Sequence, residues 1–209
     1  MNRMPSSDSC ERLIAALRAL IASHEAQLPE PFRQAGSAVA AAAAVSPPGG
    51  RAAAAVLRVV PDLAVPEDPG CARLLEAFRP AAPWLWWRQT YRVPEVDARF
   101  LENYAYAELL GPGASDTGGA LAAGLLLLGP DTCYPPHRHE PQEIYLPLSG
   151  TAEWRRAAAP WARRRPGELI HHACNEAHAM RTGREPLLAL YLWQGRDLAQ
   201  RAQLIRGAA

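Results

Sequence analysis

The sequence contains no lysine, so every one of its 22 basic residues is an arginine. This absence excludes chemistry that needs a lysine amine, including Schiff-base catalysis. Excess charge is also missing, because the formal net charge is only +1 over 209 residues. Such a balance gives no electrostatic sign of a nucleic-acid or membrane partner. We therefore expect a small molecule, and no nucleic acid, as the partner.

Paired cysteines and long apolar runs are lacking as well. The four cysteines lie far apart and form no CxxC pair, which is typical of free thiols in a reducing compartment. The start MNRMPSSDSC has no apolar signal core, and the run AGSAVAAAAAV is too short and too weakly hydrophobic to span a bilayer. These absences predict a cytoplasmic protein with no membrane partner.

The chain divides into a helical part and a part rich in strands. Leu13, Leu17 and Leu20 recur at helical spacing after a capping-box-like start, and further helices are predicted over 29–45, 49–60 and 69–82. From residue 84 onward, aromatic and short apolar runs alternate with Gly and Pro turns, which is typical of an antiparallel sandwich or barrel. We predict a helical N-terminal region, residues 1–83, packed on a β-barrel domain, residues 84–209.

One of the apolar runs is ambiguous. The segment ALAAGLLLLG, residues 120–129, is predicted as a strand, although an apolar run of this kind fits a helix equally well. The segments EIYLPLSG, AEWRRA, GELIHH and LLALYLWQG follow it at regular spacing. Their spacing favours the strand.

Ligand-type side chains are concentrated in the stretch PPHRHEPQEIYLPLSG, residues 135–150. His137, His139, Glu143 and Tyr145 share one parity, and side chains of equal parity point to the same face of extended backbone. His178, from a later strand, supplies a third imidazole. Three imidazoles and one carboxylate suit a single divalent transition metal ion: Fe2+, Zn2+, Mn2+, Co2+ or Ni2+.

This spacing resembles the two signature motifs of the cupin superfamily, which are small β-barrel metalloproteins. The first motif matches from His137 to Gly150, although Gly129 lies farther upstream than usual. In the second motif the usual Pro-x-Gly is replaced by residues 173–175, where Asn175 is a residue that tolerates left-handed backbone. The resemblance implies a mainly β fold, the cupin (double-stranded β-helix, jelly-roll) barrel, with a helical N-terminal region.

Two further histidines compete with His178. His171 and His172 end the GELIHH segment, and adjacent residues on a strand face opposite sides, so at most one can point inward. The spacing favours His178 as the ligand. A structural role is predicted for the inward member of the pair.

The segment YPPHRHEPQEIY resembles, within the superfamily, the dimethylsulfoniopropionate (DMSP) lyases. In that family the metal motif is His-x-His-x3-Glu-x-Tyr with a later histidine, the tyrosine is the catalytic base, and an upstream Tyr and a downstream Trp line the pocket. The resemblance implies that Tyr145 is the base, that Tyr134 is catalytic and substrate-binding, and that Trp193 is substrate-binding. Tyr191, which has the parity of Trp193, is a further pocket candidate.

The implied function is a metal-dependent lyase that cleaves DMSP by β-elimination to dimethyl sulfide and acrylate. The metal would bind the substrate carboxylate, and Tyr145 would remove the proton next to it. Two alternatives use the same ligands. One is another metal-dependent cupin enzyme, an Fe(II) dioxygenase or isomerase, and the other is a small-molecule-binding cupin. The sequence does not fix the oligomeric state, although cupin barrels often pair and a homodimer is one open arrangement.

Overall fold

The computed structural model describes residues 6–30, 32–33, 55–112 and 121–205. Its α-helices include α1 (Ser6–His24), α2 (Pro69–Ala81) and α3 (Ala98–Glu102). Short 3-10 helices cover Glu25–Gln27, Ala55–Asp62 and Ala82–Trp84. The side chain of Asp68 caps α2 by accepting a hydrogen bond from the backbone N–H of Cys71 at 2.7 Å, and Pro69 occupies the first turn.

The strands follow from residue 87 and form two antiparallel sheets. They are β1 (Trp87–Arg88), β2 (Tyr104–Leu110), β3 (Leu121–Leu128), β4 (Cys133–Arg138), β5 (Gln142–Ser149), β6 (Ala152–Arg156), β7 (Ala162–Arg164), β8 (Ile170–His172), β9 (His178–Thr182), β10 (Leu187–Gln194) and β11 (Gln203–Leu204). One sheet has the order β1-β2-β3-β10-β5-β8, and the other has the order β11-β4-β9-β6-β7.

The helices pack on one face of the six-stranded sheet. Alternate side chains of its central strands, such as Leu125, Leu146 and Leu190, share a buried cluster with Leu17 of α1 and Phe78 of α2. This contact explains why β3 is buried at every position and why its apolar run was ambiguous: both faces of the strand are covered. No helix in the described ranges is both long and apolar enough to cross a membrane.

The opposite face of the same sheet lines the interior between the two sheets. Leu126, Tyr145 and Tyr191 from the six-stranded sheet share a second buried cluster with Trp154 and Met180 from the five-stranded sheet. The two sheets therefore face each other around one interior, and the predicted mainly β cupin barrel with helices before it is confirmed.

The helix predictions met different outcomes. The helices predicted at the N-terminus and over residues 69–82 are present as α1 and α2. Most of the helix predicted over residues 29–45 lies outside the described residues, and so does the first half of the one predicted over 49–60. The described second half of that segment belongs to a 3-10 helix. The division of the chain after residue 83 stays a prediction.

One local expectation differs from the structure. The aromatic segment from residue 84 contains only the two-residue strand β1, and Trp84 itself belongs to a 3-10 helix. Trp87, within β1, turns its ring to Phe78 of α2 and donates its indole N–H to the carbonyl of Ala82.

His24, the last residue of α1, is only 8% exposed. Its Nδ1 lies 3.0 Å from the carbonyl oxygen of Leu20, which gives this buried nitrogen a partner.

Gly124 offers a test of the packing in the interior. A Cβ at this position would lie 2.5 Å from the hydroxyl oxygen of Tyr191 and would overlap the carbonyl oxygen of Ala107. We expect Gly124→Ala to lower the free energy of unfolding by about 1–3 kcal/mol, since overpacking a filled interior forces neighbours to shift. Gly183→Ala is the matched control because a Cβ there meets nothing within 4 Å. Urea denaturation measures the free energy of unfolding of both variants. Equal values would contradict the close packing inferred around Gly124.

Candidate metal centre and active site

Three histidines converge in the interior from the five-stranded sheet. His137 lies on β4 and is paired directly with His178, the first residue of β9, while His139 follows the end of β4. Their ligand atoms lie within 4.8 Å of one another, and all three side chains are buried. The structure therefore brings together the three histidines that the spacing selected.

All three imidazoles are fixed in the same tautomer by backbone carbonyls. Nδ1 of His137 lies 2.9 Å from the oxygen of Pro135, Nδ1 of His139 lies 2.8 Å from that of Pro141, and Nδ1 of His178 lies 2.9 Å from that of Glu176. A carbonyl oxygen can only accept, so each Nδ1 carries the hydrogen. In the neutral ring this leaves the Nε2 lone pair free to bind a cation.

Glu143 completes the cluster from the other sheet, on β5. Its Oε2 lies 3.0 Å from Nε2 of His139 and 3.0 Å from Nε2 of His178. The contact with His178 is not aligned as a hydrogen bond, although both atoms are buried. Lone pairs at this separation repel unless a proton or a cation lies between them.

The charges of the cluster follow from its burial. Burial raises the pKa of Glu143, but the neighbouring His139 and His178 outweigh it and hold the pKa well below its usual range. Burial, with His178 adding to it, lowers the pKa of His137 far below the usual value. Burial also lowers the pKa of His139, yet Glu143 reverses this and leaves it raised. The donors are one anionic carboxylate and imidazoles that do not all protonate, which fits a divalent cation.

A cavity of about 400 Å³ opens beside this cluster. Its lining includes His137 and Glu143 together with all four aromatic residues predicted for the pocket: Tyr134, Tyr145, Tyr191 and Trp193. Tyr145 is 4% exposed, and burial together with the charge of Glu143 raises its pKa well above the ordinary value. The phenol is thus neutral unless a positive charge lies near it.

Tyr134 belongs to a group of phenols on the cavity wall. Its ring stacks on the imidazole of His137, with centroids 4.0 Å apart and planes at 13°. Its hydroxyl donates to the hydroxyl of Tyr91 at 3.3 Å and lies 3.5 Å from that of Tyr104, which in turn lies 2.8 Å from the hydroxyl of Thr90. Tyr134 therefore contacts both a histidine of the cluster and a chain of hydroxyl groups.

Trp193 lies directly against the cluster rather than only on the pocket wall. Its indole N–H donates to Oε1 of Glu143 at 2.6 Å. Its ring centroid lies 4.2 Å from that of His139. Tyr191, two residues earlier, lies edge-on to Trp193 at 6.2 Å and packs over Gly124.

The adjacent histidines of β8, His171 and His172, point to opposite faces of the strand. His172 is fully buried and stacks on His178 with centroids 4.1 Å apart, and neither of its ring nitrogens has a hydrogen-bond partner among the described residues. Burial and His178 lower the pKa of His172 to about 2, so this ring is neutral. His171 points away and places its Nε2 3.1 Å from Oε1 of Gln142.

Several residues that line the cavity belong to no recognisable sequence motif. Tyr104, Tyr106, Glu108 and Arg88 come from β2 and β1, and Arg201 comes from the segment before β11. Arg201 pairs with both carboxylate oxygens of Glu95 at 2.6 Å, outside the cavity. In the sequence, only the alternation of residues 104, 106 and 108 indicated that they share a surface, because alternate residues lie on one face of β2.

Comparisons with known proteins bear on the family of this chain. The family model described as dimethylsulfoniopropionate lyase matches residues 34–189, which is more than half of the chain. The dimethylsulfoniopropionate lyase DddQ of Ruegeria pomeroyi is 34% identical over 144 residues, covering 66% of this chain and 72% of that protein. The putative dimethylsulfoniopropionate lyase DddL of Cereibacter sphaeroides is 34% identical over 116 residues, or 54% of this chain and 47% of that protein.

Solved structures resemble the whole described fold. The crystal structure of DMSP lyase DddQ from Ruegeria pomeroyi superimposes with a TM-score of 0.76 at 28% identity, covering 98% of this chain and 100% of that one. A chain from the crystal structures of the DMSP lyases RdDddP and RnDddQII gives the same TM-score, 0.76, at 27% identity, covering 95% and 98%. The chain therefore belongs to the dimethylsulfoniopropionate lyase family.

Proposed function

We propose that this chain is a carbon–sulfur lyase that cleaves DMSP by β-elimination, with one divalent transition metal ion as cofactor. The reaction yields dimethyl sulfide, acrylate and one proton, so a base must take a proton from the carbon beside the carboxylate. One observation carries the proposal. The chain belongs to this family, and the buried phenol of Tyr145 lines the same cavity of about 400 Å³ as His137 and Glu143, two members of the convergent donor cluster.

His137, His139, Glu143 and His178 would hold the ion. The backbone carbonyls that accept from each Nδ1 support this assignment, because they orient the ring and leave Nε2 as the donor atom. A divalent cation held there would withdraw charge from the substrate carboxylate as a Lewis acid and would favour the phenolate form of Tyr145. The ligand set suits Fe2+, Zn2+, Mn2+, Co2+ and Ni2+ alike.

Tyr145 is the proposed general base. Lysine and cysteine do not compete for this role, because the chain has no lysine and none of its four cysteines lines the cavity. Glu143 accepts a hydrogen bond from Trp193, and Nδ1 of His137 donates to the carbonyl of Pro135, so both groups already have partners. A phenolate at Tyr145 would take the proton as the bond from carbon to sulfur breaks and dimethyl sulfide leaves.

The aromatic wall would receive the other end of the substrate. DMSP carries a positively charged sulfonium, and Tyr134 and Trp193 both belong to the cavity lining. A cation near the face of such a ring gains about 1–2 kcal/mol when it is desolvated. The hydroxyl of Tyr134, which donates to that of Tyr91, would help to orient the substrate.

The proposed ligand set is tested by metal binding. We expect His139→Ala to weaken binding of Zn2+ or Co2+ by more than about 100-fold, since loss of outer hydrogen bonds alone costs about 10–100-fold. His171→Ala is the matched control because that ring points to Gln142 and to the edge of Phe32. Competition with a chromophoric chelator measures both affinities. Equal affinities of the two variants would exclude His139 as a ligand.

The proposed base is tested by Tyr145→Phe. Metal-loaded wild-type protein, incubated with DMSP without oxygen, is expected to release dimethyl sulfide into the headspace. We expect Tyr145→Phe to lower kcat by at least about 100-fold, because a positioned base contributes about 10²–10⁴-fold, while metal content stays unchanged. Tyr134→Phe is expected to lose less. A wild-type protein that binds metal but needs oxygen to turn over substrate would favour a dioxygenase instead.

A further inference from the structure

Trp193 and Glu143 are neighbours across two adjacent strands. They are directly paired in the register of β10 and β5, so both side chains leave the sheet on the same face. The indole N–H of Trp193 donates to Oε1 of Glu143 at 2.6 Å, a short charge-assisted hydrogen bond. An indole nitrogen is a donor only, so Oε1 of Glu143 is the acceptor of this hydrogen bond.

Because of this hydrogen bond, the two carboxylate oxygens of Glu143 have different partners. Oε1 is bonded to Trp193, whereas Oε2 lies 3.0 Å from Nε2 of His139 and 3.0 Å from Nε2 of His178. Only Oε2 therefore faces the point at which the imidazole nitrogens converge. The carboxylate presents one oxygen to that point and not both.

The same indole also supports a second member of the cluster. Its ring lies against the imidazole of His139, with centroids 4.2 Å apart and planes at 33°. The Nδ1 atom of that imidazole is held by the carbonyl of Pro141 at 2.8 Å. Trp193 thus contacts two of the four proposed ligands through two different interactions, one polar and one aromatic.

We propose that Trp193 is a positioning residue that holds Glu143 in one-oxygen coordination and so fixes how many positions on the metal remain open for substrate. The inference rests on the proposed metal site. Without the indole N–H, Oε1 is released and the carboxylate can turn both oxygens toward the cation. That change would close a position that the substrate carboxylate needs.

A role in packing alone makes a different prediction. A phenylalanine at position 193 would still cover His139 and still line the cavity, so packing alone would leave metal binding unchanged. The coordination role depends on the N–H, which phenylalanine lacks. Histidine retains it, because an imidazole superimposes on the five-membered ring of indole with Nε2 in the place of the indole nitrogen.

The experiment compares Trp193→Phe and Trp193→His with Trp87→Phe. Trp87 is the matched control because its buried indole N–H also makes a hydrogen bond, to Ala82 at 2.8 Å, while its ring packs against Phe78 in the core under the helices. We expect Trp193→Phe to change the affinity for Co2+ by about 10–100-fold, and to change the intensity of the visible Co2+ spectrum because the carboxylate then binds through both oxygens. Trp193→His should restore both, and Trp87→Phe should change neither. Thermal unfolding verifies that each variant folds, and Trp193→His keeps the test open if Trp193→Phe does not.

The outcomes separate this inference from the proposed function. Unchanged affinity and spectrum in Trp193→Phe would overturn the positioning role while leaving the lyase proposal intact. A wild-type protein that binds no Co2+ would overturn the proposed metal site and the inference with it. A loss of DMSP cleavage in Trp193→Phe with an unchanged Co2+ spectrum would place Trp193 at the substrate instead, and would also overturn the positioning role.

Discussion

The burial of one carboxylate among three imidazoles is the interaction on which the rest of this barrel depends. Glu143 is 1% exposed, and an ionised carboxylate is costly to bury unless charge and hydrogen bonds compensate it. Trp193 satisfies one oxygen, and the other faces two Nε2 atoms at 3.0 Å. Glu143 raises the pKa of His139, so a proton on that imidazole can supply one compensating positive charge. A bound cation would supply it instead.

The fold places these groups together by drawing on both sheets. His137 and His178 face each other on paired strands of the five-stranded sheet, while Glu143 and Tyr145 come from β5 of the six-stranded sheet. Each sheet thus carries part of the cluster, and neither could form it alone. The helices cover the outer face of the six-stranded sheet, so the intervening residues of β5 are buried as well. Packing on both faces fixes the strand that carries Glu143 and Tyr145.

The spacing of the motif predicted which side chains meet, but parity along one extended stretch does not explain it, and the supporting contacts were not predicted. His137 and Glu143 point to one interior even though they lie on strands of opposite sheets, because the loop between those strands returns the chain to the same cavity. The hydrogen bond from Trp193 to Glu143 needs the register of β10 against β5, which no local pattern contains. Tyr91 and Tyr104 join Tyr134 through contacts between distant segments, and such contacts leave no short-range signal. The aromatic segment has high β-propensity, yet it begins with Trp84 in a 3-10 helix and forms only the two-residue strand β1.

The turn before β9 explains how the barrel tolerates its departure from the usual motif. Asn175 adopts a left-handed backbone with φ of 57°, as its side chain allows, in a turn that lacks the usual Pro-x-Gly. Its N–H donates to the carbonyl of His139 at 2.9 Å, and the carbonyl of Glu176, the next residue, accepts from Nδ1 of His178. The turn therefore connects two histidines of the cluster through backbone atoms. Since those hydrogen bonds depend on the path of the main chain, any sequence that allows the left-handed residue can keep the histidines in place.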